Sequence, residues 1–136
     1  MRPEFFALIA ILLLLAFYFS GSRDQVNDAI YKAEEESNRR KRLEILRKAD
    51  ESLKYDHPRL LLKLAQAAMA VAYEEVEWVE RLTFSLEAKR AAMRAINACI
   101  QKGMNPQRDK LPHDLRSVCG AAEECEAEAR RHISLK

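Results

Sequence analysis

An apolar run near the N-terminus limits what this chain can fold into. Residues 5–19 (FFALIAILLLLAFYF) carry no charge, whereas the sequence from Arg23 onward is rich in charged side chains. In a helix such a run extends for about 22 Å, against a bilayer core of about 30 Å. With the residues on either side it approaches the roughly 20 residues that a spanning helix needs. We therefore expect residues 1–22 to form a single transmembrane anchor.

The side chains expected to face lipid are the large apolar ones of this run. They are Phe5, Phe6, Leu8, Ile9, Ile11, Leu12, Leu13, Leu14, Leu15, Phe17, Tyr18 and Phe19. Two alternatives stay open. A cleaved secretory signal has an apolar core of roughly 7–15 residues, but it also needs a basic start, and here Arg2 is opposed by Glu4. A buried core helix is the other, although Leu and Phe on every face would crowd it.

The charge around the run bears on its orientation. Lys and Arg close to the ends of a membrane helix favour the cytosolic side. Arg2 precedes the run, whereas Arg23, Lys32 and the basic residues 39–42 follow it. The sequence favours a single-pass protein whose larger part is cytosolic.

The remainder of the chain has the composition of an all-α protein. Ala, Leu, Glu, Arg and Lys dominate, and Thr83 is the one threonine. These abundant residues are the strongest helix formers. We expect an N-terminal transmembrane helix followed by a small bundle of long amphipathic helices.

Two segments are expected after the anchor. Residues 23–54 form a charged arm, interpreted as one long helix, with a break near Ser37–Asn38 as the alternative. Residues 55–136 form the bundle. A long helix is expected over 58–102, because Pro58 suits a first turn and no Gly or Pro interrupts the residues that follow. Gly103 ends this helix, residues 103–112 form a loop, and a last helix covers 112–133.

The apolar residues of the long helix form two patterns. Residues 60–73 are apolar nearly all round, which is typical of a buried central helix. Beyond them, Val76, Val79 and Leu82 begin a narrower stripe at helical spacing that is expected to face the core. Because so small a domain has a thin core, we hypothesise that a partner or a second copy completes the surface of 60–73.

The three cysteines do not form a metal or disulfide pattern. Cys99, Cys119 and Cys125 are odd in number and lack CxxC spacing. In a reducing compartment we expect them to be small apolar core residues. In an oxidising one, Cys119 or Cys125 could pair with Cys99.

Two charged clusters are candidates for partner binding. The first is the basic run Arg39, Arg40, Lys41 and Arg42. The second consists of acidic residues around the only tryptophan: Glu74, Glu75, Glu77, Trp78 and Glu80. Exposed Trp is favoured at interaction hot spots, and the basic run could form salt bridges with an acidic patch on another molecule. For both clusters, a solvated helix surface is the simpler interpretation.

The sequence suggests no catalytic, cofactor-binding or metal-binding residues. Glu-x-x-His pairs of the di-iron type are missing, and His57, His113 and His132 stand apart from one another. Charge is nearly balanced, with a net +2, so a nucleic-acid partner is not expected. No small-molecule substrate is expected either.

The expected function is therefore structural. We expect a non-enzymatic, membrane-anchored subunit that links a bilayer to a larger protein assembly. Such a protein would be an accessory subunit of a membrane complex or a minor membrane-linked virion protein, with the bilayer and other protein subunits as partners. The alternatives are a membrane-tethered regulator that recruits a soluble partner, and a lysis-type envelope protein with a periplasmic helical domain.

Overall fold

The computed structural model describes residues 2–105 and 107–135, except for the side chains of residues 17–24. In this part of the chain the backbone forms five α-helices and no strand. They are α1 (Pro3–Glu35), α2 (Arg39–Ser52), α3 (Pro58–Glu74), α4 (Trp78–Gln101) and α5 (Lys110–Ser134). The all-α prediction is confirmed.

The helix α1 contains both the apolar run and residues 23–35 of the charged arm. Pro3 lies in its first turn, where the missing N–H of proline has no cost. The helix then continues without interruption to Glu35. The backbone thus does not break at the expected boundary between residues 22 and 23.

The prediction of one helix over the whole charged arm is wrong, because residues 36–38 interrupt it. The side chain of Asn38 accepts a hydrogen bond from the Lys41 N–H at 3.0 Å and caps α2. The Arg42 guanidinium donates to the Glu36 carbonyl at 2.7 Å, which satisfies a carbonyl at the turn. The alternative, a break near Ser37–Asn38, is confirmed.

The prediction of one continuous helix over 58–102 is also wrong. Residues 75–77 are not helical, and they separate α3 from α4 without a Gly or Pro. The Arg81 guanidinium donates to the Glu75 carbonyl at 2.6 Å, so an arginine from the next helix satisfies a polar group at this turn. The turn lets α3 and α4 pack along each other, and the apolar burial gained there outweighs the helical hydrogen bonds lost.

The last loop contains a helix stop that the sequence predicted. Gly103 has a φ of +76°, a conformation that glycine adopts without strain. The Met104 N–H donates to the Cys99 carbonyl and the Gly103 N–H to the Ile100 carbonyl, each at 3.0 Å, which is the Schellman pattern. The expected bounds of α5 need adjustment: it begins at Lys110 rather than residue 112 and ends at Ser134 rather than residue 133.

The core surrounds α3, which packs against α2, α4 and α5. Eleven of its residues between Pro58 and Ala72 are buried by the chain's own helices. The hypothesis that a partner completes the surface of 60–73 is therefore wrong for residues 60–72. Close packing is possible because α4 presents small side chains to its neighbours: Ala88, Ala91, Ala92, Ala95 and Ala98 are all buried.

The alternating helix directions give the bundle two ends. At one, which we call the proximal end, Gln25 of α1 donates to Ser52 at 2.9 Å and Arg59 donates to Asn27 at 3.3 Å. This end contains the loops 53–57 and 102–109. The other, which we call the distal end, contains the turns 36–38 and 75–77 and the end of α5, where His132 stacks on Trp78 with ring centroids 3.8 Å apart.

Candidate functional site

The distal end brings together all nine residues that the sequence proposes for partner binding. The basic run is the first turn of α2, and the acidic residues flank the turn between α3 and α4. Both segments lie at this end because α2 and α3 run in opposite directions. Residues that are more than thirty positions apart in sequence thus share one surface.

The two charged clusters contact each other within one chain. Arg39 Nη1 lies 3.0 Å from Glu74 Oε1, and Arg40 pairs with Glu75. The expectation of a salt-bridge partner on another molecule is therefore wrong for Arg39 and Arg40. The Arg39–Glu74 pair is about half exposed, so it contributes at most about 1 kcal/mol to stability, whereas in the second pair Arg40 is exposed and Glu75 is half-buried. Their role here is to hold α2 against the α3–α4 turn.

The other two basic residues of the run differ in their environment. The Arg42 guanidinium is half-buried on the Glu36 carbonyl. The Lys41 side chain is exposed, and within the described part of the chain it forms no ion pair. Of the four basic residues, Lys41 is therefore the one whose charge is most available to a binding partner.

Trp78 is engaged by its own chain. Its ring is parallel to that of His132, and the Arg81 guanidinium lies 4.7 Å from the ring centroid. Stacking and cation–π contacts of this kind contribute roughly 0.5–1.5 kcal/mol each. Trp78 therefore joins the start of α4 to the end of α5, and only part of its surface remains for a partner.

Exposed apolar side chains at the distal end were missed by sequence reasoning. Val76 and Val79, expected to face the core, are 85% and 60% exposed, and Tyr73 is 56% exposed. Leu135, at the end of α5, is 83% exposed. Val76 and Val79 were expected to be buried because one helix was predicted across residues 75–77. The turn at these residues changes the direction of the chain, so the two valines no longer lie on the buried face. The acidic neighbours Glu77 and Glu80 were the available signal.

Charge surrounds these apolar groups. Glu77 and Glu80 are exposed, and neither has an ion pair among the described residues. The distal end thus combines aliphatic side chains with carboxylates that retain their charge. Such a surface suits a protein partner with apolar and basic groups.

The apolar half of α1 forms a second candidate site. Its large side chains from Phe5 to Leu15 are 39–70% exposed, because no other helix covers them. The side chains of Phe17, Tyr18 and Phe19 lie outside the described residues. Within the described residues, no helix has an apolar stretch of the length needed to cross a bilayer.

The cysteines are free thiols, and two of them belong to the core. Cys99 and Cys125 are buried and Cys119 is half-buried, each without a disulfide. Burial raises the pKa of all three thiols, so they are less reactive than an exposed cysteine. Among the described residues, no group of three His, Cys, Asp or Glu side chains is placed to hold a metal ion.

A groove lies between α1, α2 and α3. It has a volume of about 230 Å³, and Lys63 and Glu34 form an ion pair of 3.4 Å beside it. Ligand pockets usually measure about 300–1,000 Å³. The groove is therefore small for a ligand site, and it is open to solvent.

Comparison with known proteins adds no family to these observations. No protein-family model matches the chain, and no curated protein or solved structure is significantly similar to it.

Proposed function

We propose that this protein is a membrane-anchored assembly subunit, held in a bilayer by the apolar half of α1 and joined to a protein partner at the distal end of its bundle. The observation that carries the proposal is the exposure of the side chains from Phe5 to Leu15. An apolar surface of this size is rare on a soluble protein and marks contact with a membrane or another protein.

The separation of the two surfaces supports a linking role. In α1 the apolar run precedes the segment that packs on α2, through Val26, Ile30 and Ala33. The partner-binding candidates lie at the opposite end of the bundle. A protein built in this way holds its partner at a set distance from the bilayer, about the length of α2, which is roughly 20 Å at 1.5 Å per residue.

The anchor is tested by substitution within the run. Leu12→Arg in the full chain should release the protein from membranes during alkaline extraction, because a charge at the centre of a membrane helix costs about 2.5–3.5 kcal/mol. Tyr31→Arg adds the same charge at an exposed position of the same helix and should leave the protein membrane-bound. Equal extraction of both variants would contradict the anchor.

The assembly role is tested by crosslinking at the distal end. A photoreactive amino acid at position 76 should capture a protein neighbour in intact membranes, whereas the same group at Ser117, exposed on the side of α5, should not. A subunit remains with this neighbour in fixed ratio after detergent and high salt. Loss of the neighbour would instead favour the tethered regulator.

The proposal places the bundle on the cytosolic side, following the excess of Lys and Arg after the apolar run. An introduced thiol is needed to test this, since Cys99 and Cys125 are buried. Ser37→Cys, exposed in the α1–α2 turn, should react with an impermeant maleimide only after the cells are opened. Reaction in intact cells would favour the lysis-type alternative with its opposite topology.

A further inference from the structure

The two ends of the bundle differ in charge. We compare the loops at each end, each taken with the first two residues of the helix that follows. The proximal segments, 53–59 and 102–111, contain five basic and two acidic residues. The distal segments, 36–40 and 75–79, contain two basic and three acidic residues. The net charge of the whole chain is only +2, but the proximal segments by themselves are basic.

The basic residues of the proximal end keep their charge available. Lys54, Arg59, Lys102, Arg108 and Lys110 are all exposed, and among the described residues none forms an ion pair with a carboxylate. In the distal segments 36–40 and 75–79, by contrast, the two arginines, Arg39 and Arg40, are paired with glutamates.

The two acidic residues of the proximal end are occupied by the fold. Asp56 accepts hydrogen bonds from the Arg94 guanidinium at 2.6 and 3.2 Å. Asp109 accepts one from the Asn105 N–H at 2.7 Å. Neither carboxylate forms an ion pair with any of the five exposed basic residues. The electrostatic field at this surface is therefore positive.

The half-buried His57 lies within this field. Burial lowers its pKa first of all, and the nearby Lys102 and Arg59 lower it further. The hydrogen bonds from Arg94 of α4 to Asp56 hold the 53–57 loop against α4.

The part of this surface formed by the 53–57 loop and Arg59 lies next to α1, shortly after the apolar run. Gln25, which bonds to Ser52 at the proximal end, is six residues after Phe19 in an unbroken helix, a rise of about 9 Å. That distance is close to the Debye length of about 8 Å at physiological salt. Tyr55, exposed in the same loop, is of a residue type enriched at membrane–water interfaces.

We propose that the proximal end is a docking surface for the headgroups of anionic phospholipids in the bilayer that holds α1. This inference rests on the proposed membrane anchor. Charge complementarity would hold the bundle upright against the membrane, with the distal end directed away from it. Each basic residue near an anionic surface contributes about 1 kcal/mol, a factor of about five in the docked population.

The test uses the full chain in vesicles of phosphatidylcholine, with or without roughly one third phosphatidylglycerol, a fraction large enough to give a negative surface. A headgroup spin-labelled lipid quenches nearby tryptophan. The unchanged protein reports on the distal end through Trp78. The double variant Tyr55→Trp with Trp78→Phe reports on the proximal end. We expect strong quenching of the proximal tryptophan in anionic vesicles, less in phosphatidylcholine or high salt, and weak quenching of Trp78 throughout.

Charge removal gives the matched comparison. Adding Lys54→Gln, Lys102→Gln and Arg108→Gln should reduce the proximal quenching in anionic vesicles to its level in phosphatidylcholine. The control triple Lys41→Gln, Arg130→Gln and Arg131→Gln removes the same charge from the distal half and should have no effect. Circular dichroism establishes that both triples fold. The salt dependence of quenching in the Tyr55→Trp, Trp78→Phe variant, with all its basic residues in place, tests lipid docking without the triples.

The outcomes separate the two proposals. If the protein floats with the vesicles but quenching of the proximal tryptophan does not depend on lipid charge or salt, lipid docking is wrong. The proposed anchor would still be supported in that case. Failure to float with either vesicle would overturn the anchor, and lipid docking with it.

Discussion

Single side chains hold the proximal loop in place, and Arg94 is the main example. From α4 it donates to Asp50 of α2 at 2.9 Å and to Asp56 of the 53–57 loop at 2.6 Å. The planar guanidinium suits two carboxylates at once. Because Arg94 is partly exposed, its ion pairs add little to the free energy of unfolding. The chief effect of Arg94 is to fix the position of the loop that contains Lys54, Tyr55 and His57.

His57 gives a prediction about pH. Its Nδ1 accepts the Leu60 N–H at 3.3 Å and so caps α3, which requires a neutral ring. Burial, Lys102 and Arg59 lower its pKa below the ordinary value near 6.5, so the unfolded chain binds the proton more tightly. We expect the free energy of unfolding to decrease as pH falls below about 6.5.

The measurement is denaturant unfolding across pH 5 to 8, in the ordinary titration range of histidine. His57→Asn retains a good capping side chain without titrating in this range. Its stability should lose part of the pH dependence below about 6.5. An identical pH slope in both proteins would show that His57 does not contribute.

At the scale of the helices, glycine positions give predictions of opposite sign. Gly103→Ala places a side chain at φ +76°, and this should cost about 1–2 kcal/mol in unfolding free energy. Gly120→Ala in the middle of α5 meets no atom within 4 Å and should add up to about 1 kcal/mol through helix propensity. Thermal and denaturant unfolding measure both. The same sign for the two variants would contradict the assigned backbone conformations.

Helix packing gives a further prediction, at Ala95 of α4. Ala95 is fully buried where α4 faces its neighbours, so Ala95→Leu should destabilise the bundle by about 1–3 kcal/mol through overpacking. Asn97→Leu adds a leucine two residues later at an exposed position and should change stability by less than about 0.5 kcal/mol. Equal effects would mean that α4 does not pack as described.

For the whole molecule, closure of the core around α3 predicts an independent domain. Leu60, Leu61 and Leu115 are fully buried by the chain itself. We therefore expect residues 23–136, without the apolar run, to be a monomer that unfolds cooperatively at micromolar concentration. Light scattering and calorimetry test this. Self-association, or a transition without cooperativity, would restore the idea that a partner completes the core.

Sequence reasoning was most reliable where a local rule applies. Gly103 was identified as a helix stop because a positive φ favours glycine. Residues 60–73 were predicted to be buried because they are apolar on nearly every face, and the structure buries most of them but leaves Tyr73 exposed. Val76 and Val79 were misplaced because their spacing fits a helix, and the turn at 75–77 depends on contacts from Arg81 that spacing does not encode.

The sequence by itself determined the helical class, the apolar run and the Gly103 helix stop, and it identified the charged residues proposed for partner binding. These follow from composition, hydrophobicity and backbone preference, which act over a few residues. Only the tertiary structure decided that the chain turns at 36–38 and 75–77, that Arg39 and Arg40 pair with Glu74 and Glu75, and that exposed bases from two separate loops lie at the proximal end. The reason is physical: these outcomes depend on which helices lie antiparallel, and packing over distances of thirty or more residues sets that arrangement.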